Sequence, residues 1–212
     1  MLEKFMDIEM QNSSPTPLIR LATAHDAAQI QAIYGPIVSQ TAVSFEANPP
    51  TVDEMRQRIV DTLASFPWLV CERQGTILGY VYASKHRVRA AYQWSVDVSA
   101  YVHTQARRMG VGRALYGSLF KILALQGFYN AYAGIALPNP ASVGLHEAMG
   151  FKPVGVYNAV GYKLNAWHDV GWWHLALRPK TVPPQPLLDL RQVLESIEGQ
   201  AAIAAGLPLL RV

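Results

Sequence analysis

Apolar residues recur along the chain at two spacings, one typical of strands and the other of helices. Blocks of alternating or consecutive apolar residues predict seven strands, at residues 18–22, 68–72, 77–83, 93–102, 130–137, 151–156 and 172–177. Apolar residues three or four positions apart predict four helices, which begin after Thr23, at Thr51, near Met109 and at Ser142. Helices alternate with strands only in the second half of the chain. This order predicts an α/β (α+β) fold with a mixed, partly antiparallel sheet and helices on both faces.

Two segments of different composition flank the predicted domain, which spans residues 17–179. Residues 1–16 end in a stretch rich in serine and proline and are expected to form a flexible leader. Residues 180–186, K-T-V-P-P-Q-P, cannot continue a sheet or a helix and predict a linker. Residues 187–212 have apolar positions at near-helical spacing. This tail packs on the domain, packs on a partner subunit or lies loosely, and the sequence leaves these alternatives open.

The segment from Val96 to Tyr116 places a strand, a glycine turn and a helix in succession. Gly110 and Gly112 lack a Cβ, so backbone there can approach a ligand closely. A helix that begins at this turn points unpaired N–H groups at whatever lies in the turn, and nearby arginines add positive charge. The combination predicts a pyrophosphate-binding turn. The alternative is an ordinary tight turn, because the segment matches neither G-x-G-x-x-G nor a P-loop.

Composition and charge argue for a small anionic ligand rather than a nucleic acid. The chain has 212 residues, half of them apolar, and a net charge of +3. Its basic residues gather in two short groups, 85–89 and 107–113, instead of forming a long basic stripe. Cys71 is the single cysteine and lies in an apolar strand pattern, so we expect an inert core thiol and a reducing compartment. No long apolar run predicts a membrane span, and a cytoplasmic location is expected.

Several motifs in order resemble the GNAT superfamily of N-acetyltransferases. The long strand, R-R-M-G-V-G and N-P-A-S-V-G-L-H-E-A-M-G-F carry the resemblance over about residues 18–178. The further motifs F-P-W-L-V, R-A-A-Y-Q-W-S-V-D, L-Q-G-F and A-W-H-D-V-G-W-W are similar to those of phosphinothricin acetyltransferases within it. The resemblance implies acetyl-CoA as the acetyl donor and the α-amino group of a small amino acid as the acceptor. It also implies a mostly antiparallel sheet that splays beside its central strand, and a homodimer.

The resemblance assigns a set of residues to the binding of acetyl-CoA. Backbone groups of the central strand would hold the pantetheine arm, the glycine turn would surround the pyrophosphate, and two residues of the fourth helix would contact the rest of the arm. These residues are Tyr101, Val102 and His103, then Arg108, Gly110, Val111, Gly112 and Arg113, and finally Asn139 and Ser142.

Acetyl transfer to an amine needs a base, an oxyanion donor and a proton for the departing thiolate. The resemblance places Asp97 where related enzymes carry a catalytic glutamate, although aspartate is one methylene shorter. It places His146 on the helix after the cofactor strand, as a general base or acid. A backbone N–H near Val98–Tyr101, together with Tyr116, would meet the oxyanion. Without the resemblance, Asp97 and His146 would be interpreted as structural groups.

The acceptor site is assigned by the same resemblance. Arg89 and Tyr92 match acceptor positions, Arg87 lies close by, and Phe45 would form an apolar wall. An arginine fork suits a free carboxylate, although each arginine alone is typical of a solvated loop. Trp167-His168-Asp169 has too few ligands for a metal site and is interpreted as structural, so no metal is predicted.

The sequence therefore predicts an acetyl-CoA-dependent N-acetyltransferase that acts on phosphinothricin or a similar amino acid. One alternative is the same chemistry on methionine sulfoximine, methionine sulfone or another amino acid. A second alternative is a module that binds acyl-CoA without catalysis, which the aspartate at position 97 would favour. Neither nucleic acid nor membrane is expected as a partner.

Overall fold

A computed structural model describes residues 16–211, so the predicted leader lies outside the described residues except for Thr16. These residues form one sheet of seven strands. The strands are β1 (Leu18–Leu21), β2 (Trp68–Arg73), β3 (Thr76–Lys85), β4 (Ser95–Val102), β5 (Asn130–Leu137), β6 (Lys152–Lys163) and β7 (Ala166–Ala176). The helices are α1 (Ala27–Gln40), α2 (Val52–Leu63), α3 (Val111–Gln126), α4 (Pro140–Ala148), α5 (Leu190–Glu195) and α6 (Ile197–Ala204).

The predicted fold class is confirmed. The strand order is β1-β2-β3-β4-β5-β7-β6, and of these neighbours only β4 and β5 run parallel. Helix starts follow the predicted signals: at α2 the Thr51 hydroxyl accepts from the Glu54 N–H, and the Glu54 carboxylate accepts from the Thr51 N–H. Gly127, with φ of 100°, ends α3.

The predicted end of the sixth strand at residue 156 and the predicted start of the seventh at residue 172 are wrong. β6 continues to Lys163 and β7 begins at Ala166, so the two strands form a long hairpin closed by Leu164 and Asn165. Both turn residues have positive φ, as a tight hairpin turn requires. Every side chain of β6 before Gly161 is exposed, so this stretch lacks the one-sided apolar alternation by which a half-buried strand is recognised.

Two apolar clusters occupy opposite faces of the sheet. Residues of α3, including Leu115, Tyr116 and Leu119, pack on one face with Val98 of β4. Residues of α1 and α2, including Ile30 and Ile59, pack on the other face with Tyr101. Successive strand residues point to opposite faces, so β4 presents side chains to both clusters.

The sheet opens between its two parallel strands. β4 and β5 pair from Ser95 with Asn130 to Asp97 with Tyr132, and the pairing ends there. Beyond that point β4 stays with β3 and β5 stays with β7, so the strands separate toward their carboxyl ends. The predicted splay beside the central strand is present, and Asp97 lies at its apex.

The tail packs on its own domain along α3. The Ser118 hydroxyl donates to the Ile203 carbonyl at 2.7 Å and accepts from the Gly206 N–H at 3.1 Å. The Arg211 N–H donates to the Met109 carbonyl at 2.9 Å, beside the glycine turn. Among residues 16–211, no helix is both long and apolar enough to cross a membrane.

Candidate active site

The opening between β4 and β5 forms a cleft that brings together five of the predicted site residues. Those residues are Tyr101, Tyr116, Asn139, Ser142 and His146. The rest of the wall comes from the separated strands and from one residue of the loop after α1, namely Val98, Ser99, Ala100, Ala133, Gly134, Ile135, Ala136 and Val43. Backbone on the facing edges of β4 and β5 has no strand partner across the gap, so an extended ligand can bond to it.

The glycine turn has the conformation that close approach to a ligand requires. Gly110 adopts φ of 79°, and α3 begins at the next residue. A Cβ at Gly112 would lie 3.0 Å from the Leu145 side chain, so the helix start fits closely only without one. The Nε of Arg113 is buried and has no hydrogen-bond partner within residues 16–211. A buried guanidinium nitrogen beside a helix N-terminus fits a phosphate oxygen.

His146 is a buried histidine whose hydrogen bonds fix its tautomer. Its Nδ1 lies 2.8 Å from the Ser142 carbonyl oxygen, which can only accept, so Nδ1 carries the hydrogen. Its Nε2 lies 2.9 Å from the Tyr116 hydroxyl, which therefore donates to it. Burial lowers the pKa of His146, and the bond to Ser142 opposes this only in part. The neutral ring is set to accept a proton.

Tyr116 lines the cleft beside His146. It is fully buried, and burial raises its pKa well above the ordinary value. A phenol with so high a pKa is a poor acid on its own. It can still pass a proton to His146 when it receives one from the cleft.

Asp97 lies on the face of the sheet opposite to His146. It alternates with Val98, whose side chain packs with Tyr116, and it shares its face with Tyr101. Burial raises the pKa of the Asp97 carboxyl, although His86 and then Arg87 act to lower it. A base with a raised pKa is better suited to proton transfer near neutral pH.

His86 was assigned no separate role from the sequence, although it lies in the basic group 85–89 beside the acceptor candidates Arg87 and Arg89. Its Nδ1 lies 2.6 Å from Asp97 Oδ1. The antiparallel pairing of β3 with β4 sets Ser84 opposite Asp97 and Lys85 opposite Val96, so β3 ends beside Asp97. This register was the signal from which the contact could have been found.

The predicted acceptor residues divide into two groups. Tyr92 and Arg87 lie beside the Asp97 face: the Tyr92 ring meets the His86 ring edge-on at 6.0 Å, and the Arg87 guanidinium lies 5.5 Å from the Trp172 ring. Arg89 is exposed at the start of a short 3-10 turn. Phe45 packs instead toward the β6–β7 hairpin, 6.2 Å from the ring of His168.

Several of the remaining predicted residues have local structural partners. The Asn139 side chain caps α4 by accepting from the Ser142 N–H, and the His103 side chain accepts from the Gln105 N–H. Tyr101 lines the cleft, Val102 pairs with Gly79, and Arg108 is exposed with φ of 66°. In the Trp167-His168-Asp169 segment, the His168 ring bonds to the Lys163 carbonyl, and Asp169 accepts from a backbone N–H.

Comparison with known proteins gives a family match and close relatives. A family model described as an acetyltransferase (GNAT) domain matches residues 19–172. A phosphinothricin N-acetyltransferase of Streptomyces viridochromogenes is 38% identical over 175 residues, which cover 82% of this chain and 95% of that protein. An L-methionine sulfoximine/L-methionine sulfone acetyltransferase of Pseudomonas aeruginosa is 32% identical over 169 residues, which cover 78% and 98%.

Solved structures show the same fold. The crystal structure of a GNAT superfamily phosphinothricin acetyltransferase from Sinorhizobium meliloti, in complex with acetyl-CoA, aligns with a TM-score of 0.75 and 32% identity. The alignment covers 83% of this chain and 99% of that one.

Proposed function

This chain belongs to the acetyltransferase (GNAT) family, and we propose that it transfers an acetyl group from acetyl-CoA to the α-amino group of phosphinothricin or a similar small amino acid. The observation that carries this proposal is the cleft between β4 and β5. A glycine turn and a helix N-terminus lie near the carboxyl end of β4, a buried histidine lies on one face, and a half-buried carboxylate lies on the other.

The residues present fit acetyl-CoA. The unpaired N–H groups that begin α3, the Arg113 guanidinium and the exposed Arg108 would hold the pyrophosphate, with Gly110 and Gly112 keeping the backbone accessible. The free edge of β4, from Tyr101 to His103, would bond to the amide groups of the pantetheine arm. Acetyl-CoA supplies a thioester carbonyl that an amine can attack, with release of CoA as a thiol.

The proposed proton transfers take place on both faces of the sheet, with deprotonation of the acceptor ammonium on the Asp97 face. An α-amine is mostly protonated at neutral pH, so a base on the Asp97 face first has to take a proton from it. Asp97 lies at the apex of the cleft on the face where Arg87 and Tyr92 would meet the acceptor. The negative charge there favours binding of the ammonium group, and a base beside it has to take the proton.

Tyr116 and His146 form a proton relay on the opposite face. The neutral His146 Nε2 can take the hydroxyl hydrogen of Tyr116 while Tyr116 receives a proton from the reacting nitrogen. The same path in reverse delivers that proton to the departing thiolate sulfur. The relay leaves no net charge on either residue.

The acceptor is tested by measuring release of CoA thiol from acetyl-CoA. Phosphinothricin, methionine sulfoximine, methionine sulfone and the common amino acids are offered separately. Rapid turnover with phosphinothricin and little with the others supports the proposal. Preference for a methionine derivative would support the same N-acetyl transfer with that compound, rather than phosphinothricin, as the acceptor. Tight binding of acetyl-CoA without turnover on any amino acid contradicts the proposal and favours a non-catalytic module.

We also propose that the protein is a cytoplasmic homodimer. Large apolar side chains are exposed along the β6–β7 hairpin, namely Val154, Val156, Tyr157, Val160, Tyr162, Leu164 and Trp167. An edge hairpin with this surface is suited to association with a second copy. Cys71 is buried and free, and burial raises its pKa to about 11, which fits a reducing compartment.

A further inference from the structure

His86 and Asp97 form a hydrogen-bonded pair at the apex of the cleft. His86 follows the last residue of β3, and its Nδ1 lies 2.6 Å from Asp97 Oδ1. Both side chains are mostly buried, with 12% of the His86 side chain and 28% of the Asp97 side chain exposed. So short a contact in a sheltered position is typical of a hydrogen bond strengthened by charge.

Aromatic side chains from three elements fix the plane of the His86 ring. Tyr132 of β5 stacks on it, with ring centres 4.5 Å apart and planes 17° apart. Trp172 of β7 and Tyr92 meet it edge-on at 6.3 and 6.0 Å. The ring is therefore held in one orientation by packing as well as by its bond to Asp97.

One ring nitrogen remains available. Within residues 16–211, the hydrogen bond to Asp97 uses Nδ1, and Nε2 has no hydrogen-bond partner. If Asp97 is ionised, it can only accept, so Nδ1 carries the hydrogen and Nε2 carries the lone pair. A neutral imidazole with its lone pair free and its opposite side bound to a carboxylate is arranged as a general base.

We propose that His86 is the catalytic base that takes the proton from the acceptor ammonium group at Nε2, with Asp97 as the residue that orients it. This inference rests on the proposed function. Aspartate is one methylene shorter than glutamate. The His86 imidazole more than compensates for this difference, because it extends the reach of the carboxylate beyond what one extra methylene would give.

The chemistry of the two groups favours the imidazole as the acceptor of the proton. The Asp97 carboxylate is already bonded to Nδ1, whereas Nε2 has no hydrogen-bond partner within residues 16–211. A proton on Nε2 creates an imidazolium beside the Asp97 carboxylate, which stabilises it. A proton on the carboxylate would instead remove the charge from a strong hydrogen bond.

The proton and bond changes balance in this scheme. The ammonium group gives one proton to His86 Nε2, and the neutral nitrogen forms a bond to the acetyl carbon. The bond from that carbon to sulfur breaks, and the second proton of the nitrogen reaches the sulfur through Tyr116 and His146. His86 then releases its proton to solvent, which accounts for the one proton produced per turnover.

The charged and titratable groups around His86 come from several elements. Asp97 of β4 is in direct contact, Arg87 is its neighbour in the chain, and Tyr132 and Tyr92 contact its ring. His174 of β7 lies behind Tyr132, with ring centres 5.0 Å apart. His174 therefore provides a matched control, because it is a histidine on the same face that does not touch Asp97.

The kinetic test compares pH profiles of kcat/KM for the acceptor in the full-length protein. His86→Gln keeps a donor for Asp97 and removes the base, so we expect a loss of roughly 10²–10⁴-fold and disappearance of the acid limb. His86→Gln combined with Asp97→Asn should be little worse than the single change, because the pair acts as one unit. His174→Gln should retain the acid limb. An acid limb retained in His86→Gln but lost in Asp97→Asn would overturn the proposal and make Asp97 the base.

A second readout does not depend on turnover. Nitrogen NMR of the imidazole, assigned by loss of the signal in His86→Gln, should show hydrogen on Nδ1 and a lone pair on Nε2 in the neutral form. The Asp97→Asn variant should lose this preference. Hydrogen on Nε2 in the native protein would overturn the proposal, because that nitrogen could not then accept a proton. If no amino acid is acetylated, the proposed function fails, and the base assignment that rests on it fails too. The NMR result then separates that failure from a wrong tautomer.

Discussion

The surroundings of His146 favour its neutral form. It is buried beside Tyr116 and Phe151, and its Nδ1 hydrogen is held by the Ser142 carbonyl. The cost of charging a buried ring lowers its pKa. A neutral Nε2 that accepts from Tyr116 is therefore a property of the fold, and in the proposed relay this nitrogen first takes a proton and then returns it.

Removal of the relay should slow the chemical step without weakening acetyl-CoA binding. For His146→Ala we expect kcat to fall by roughly 10²–10⁴-fold with the KM for acetyl-CoA nearly unchanged. Tyr116→Phe should cause a similar fall, and the double variant should be no worse than either single change. Steady-state kinetics with both substrates varied checks this. An unchanged kcat in His146→Ala would remove the residue from the mechanism.

Burial of His146 should also make the free energy of unfolding depend on pH. The pKa of His146 is lower in the folded protein than the ordinary value of 6.5, so the unfolded chain binds its proton first as pH falls. Its contribution to the free energy of unfolding is complete above that ordinary value and is lost as pH falls below it. Urea unfolding at several pH values should therefore show a smaller loss on acidification for His146→Gln than for the native chain. Equal losses would contradict burial of a neutral ring.

At single residues, the sequence indicated candidates where a motif included the residue and missed a contact that is long-range. Asp97, His146 and the glycine turn lie within recognisable motifs. His86 lies in a basic loop, and its importance depends on the register of β3 against β4. Because that pairing joins positions 11 residues apart across a loop, no local pattern indicated it.

The C-terminal tail lies against α3 and the glycine turn through close backbone contacts. Gly206 lies against α3, where a Cβ would overlap the Ala114 carbonyl. The chain continues from there to Arg211, whose N–H bonds to Met109 at the start of the glycine turn. The tail therefore supports the segment that would hold the pyrophosphate.

Gly206→Ala should displace the tail from α3. The overlap predicts a loss of about 1–3 kcal/mol in the free energy of unfolding, the usual cost of overpacking, and a higher KM for acetyl-CoA. Gly144→Ala is the matched control, since nothing lies within 4 Å of its added Cβ and alanine favours a helix. Chemical denaturation and steady-state kinetics measure both effects. Equal stability of the two variants would contradict a packed tail.

At the scale of elements, helices were predicted well because their ends carry local signals. The capping residues of α2 and the glycine that ends α3 are local signals that can be recognised in the sequence. The β6–β7 hairpin was not predicted at its full length, because its outer half is exposed on both sides. Such a strand is fixed by pairing with its neighbour, which sequence periodicity does not report.

The β6–β7 hairpin determines the expected assembly of the whole molecule. Trp167 is 66% exposed. Among the aromatic pairs of the described residues, it contacts only Tyr162, which lies opposite it in the hairpin. For Trp167→Glu we expect a shift from dimer to monomer in light scattering, because a charge there opposes burial. Ile197→Glu is the control, since Ile197 is 86% exposed on α6. A native protein that is already monomeric at micromolar concentration would contradict the proposed dimer.

The proposed acetyl transfer is tested most directly by following the acetyl group itself. Native protein is incubated with acetyl-CoA labelled with carbon-13 in its acetyl group and with phosphinothricin, and the product is identified by NMR and mass spectrometry. We expect labelled acetyl in an amide with the α-nitrogen, formed in step with free CoA thiol. Release of labelled acetate alone, or acetyl on oxygen rather than nitrogen, would contradict an N-acetyltransferase built around the cleft between β4 and β5.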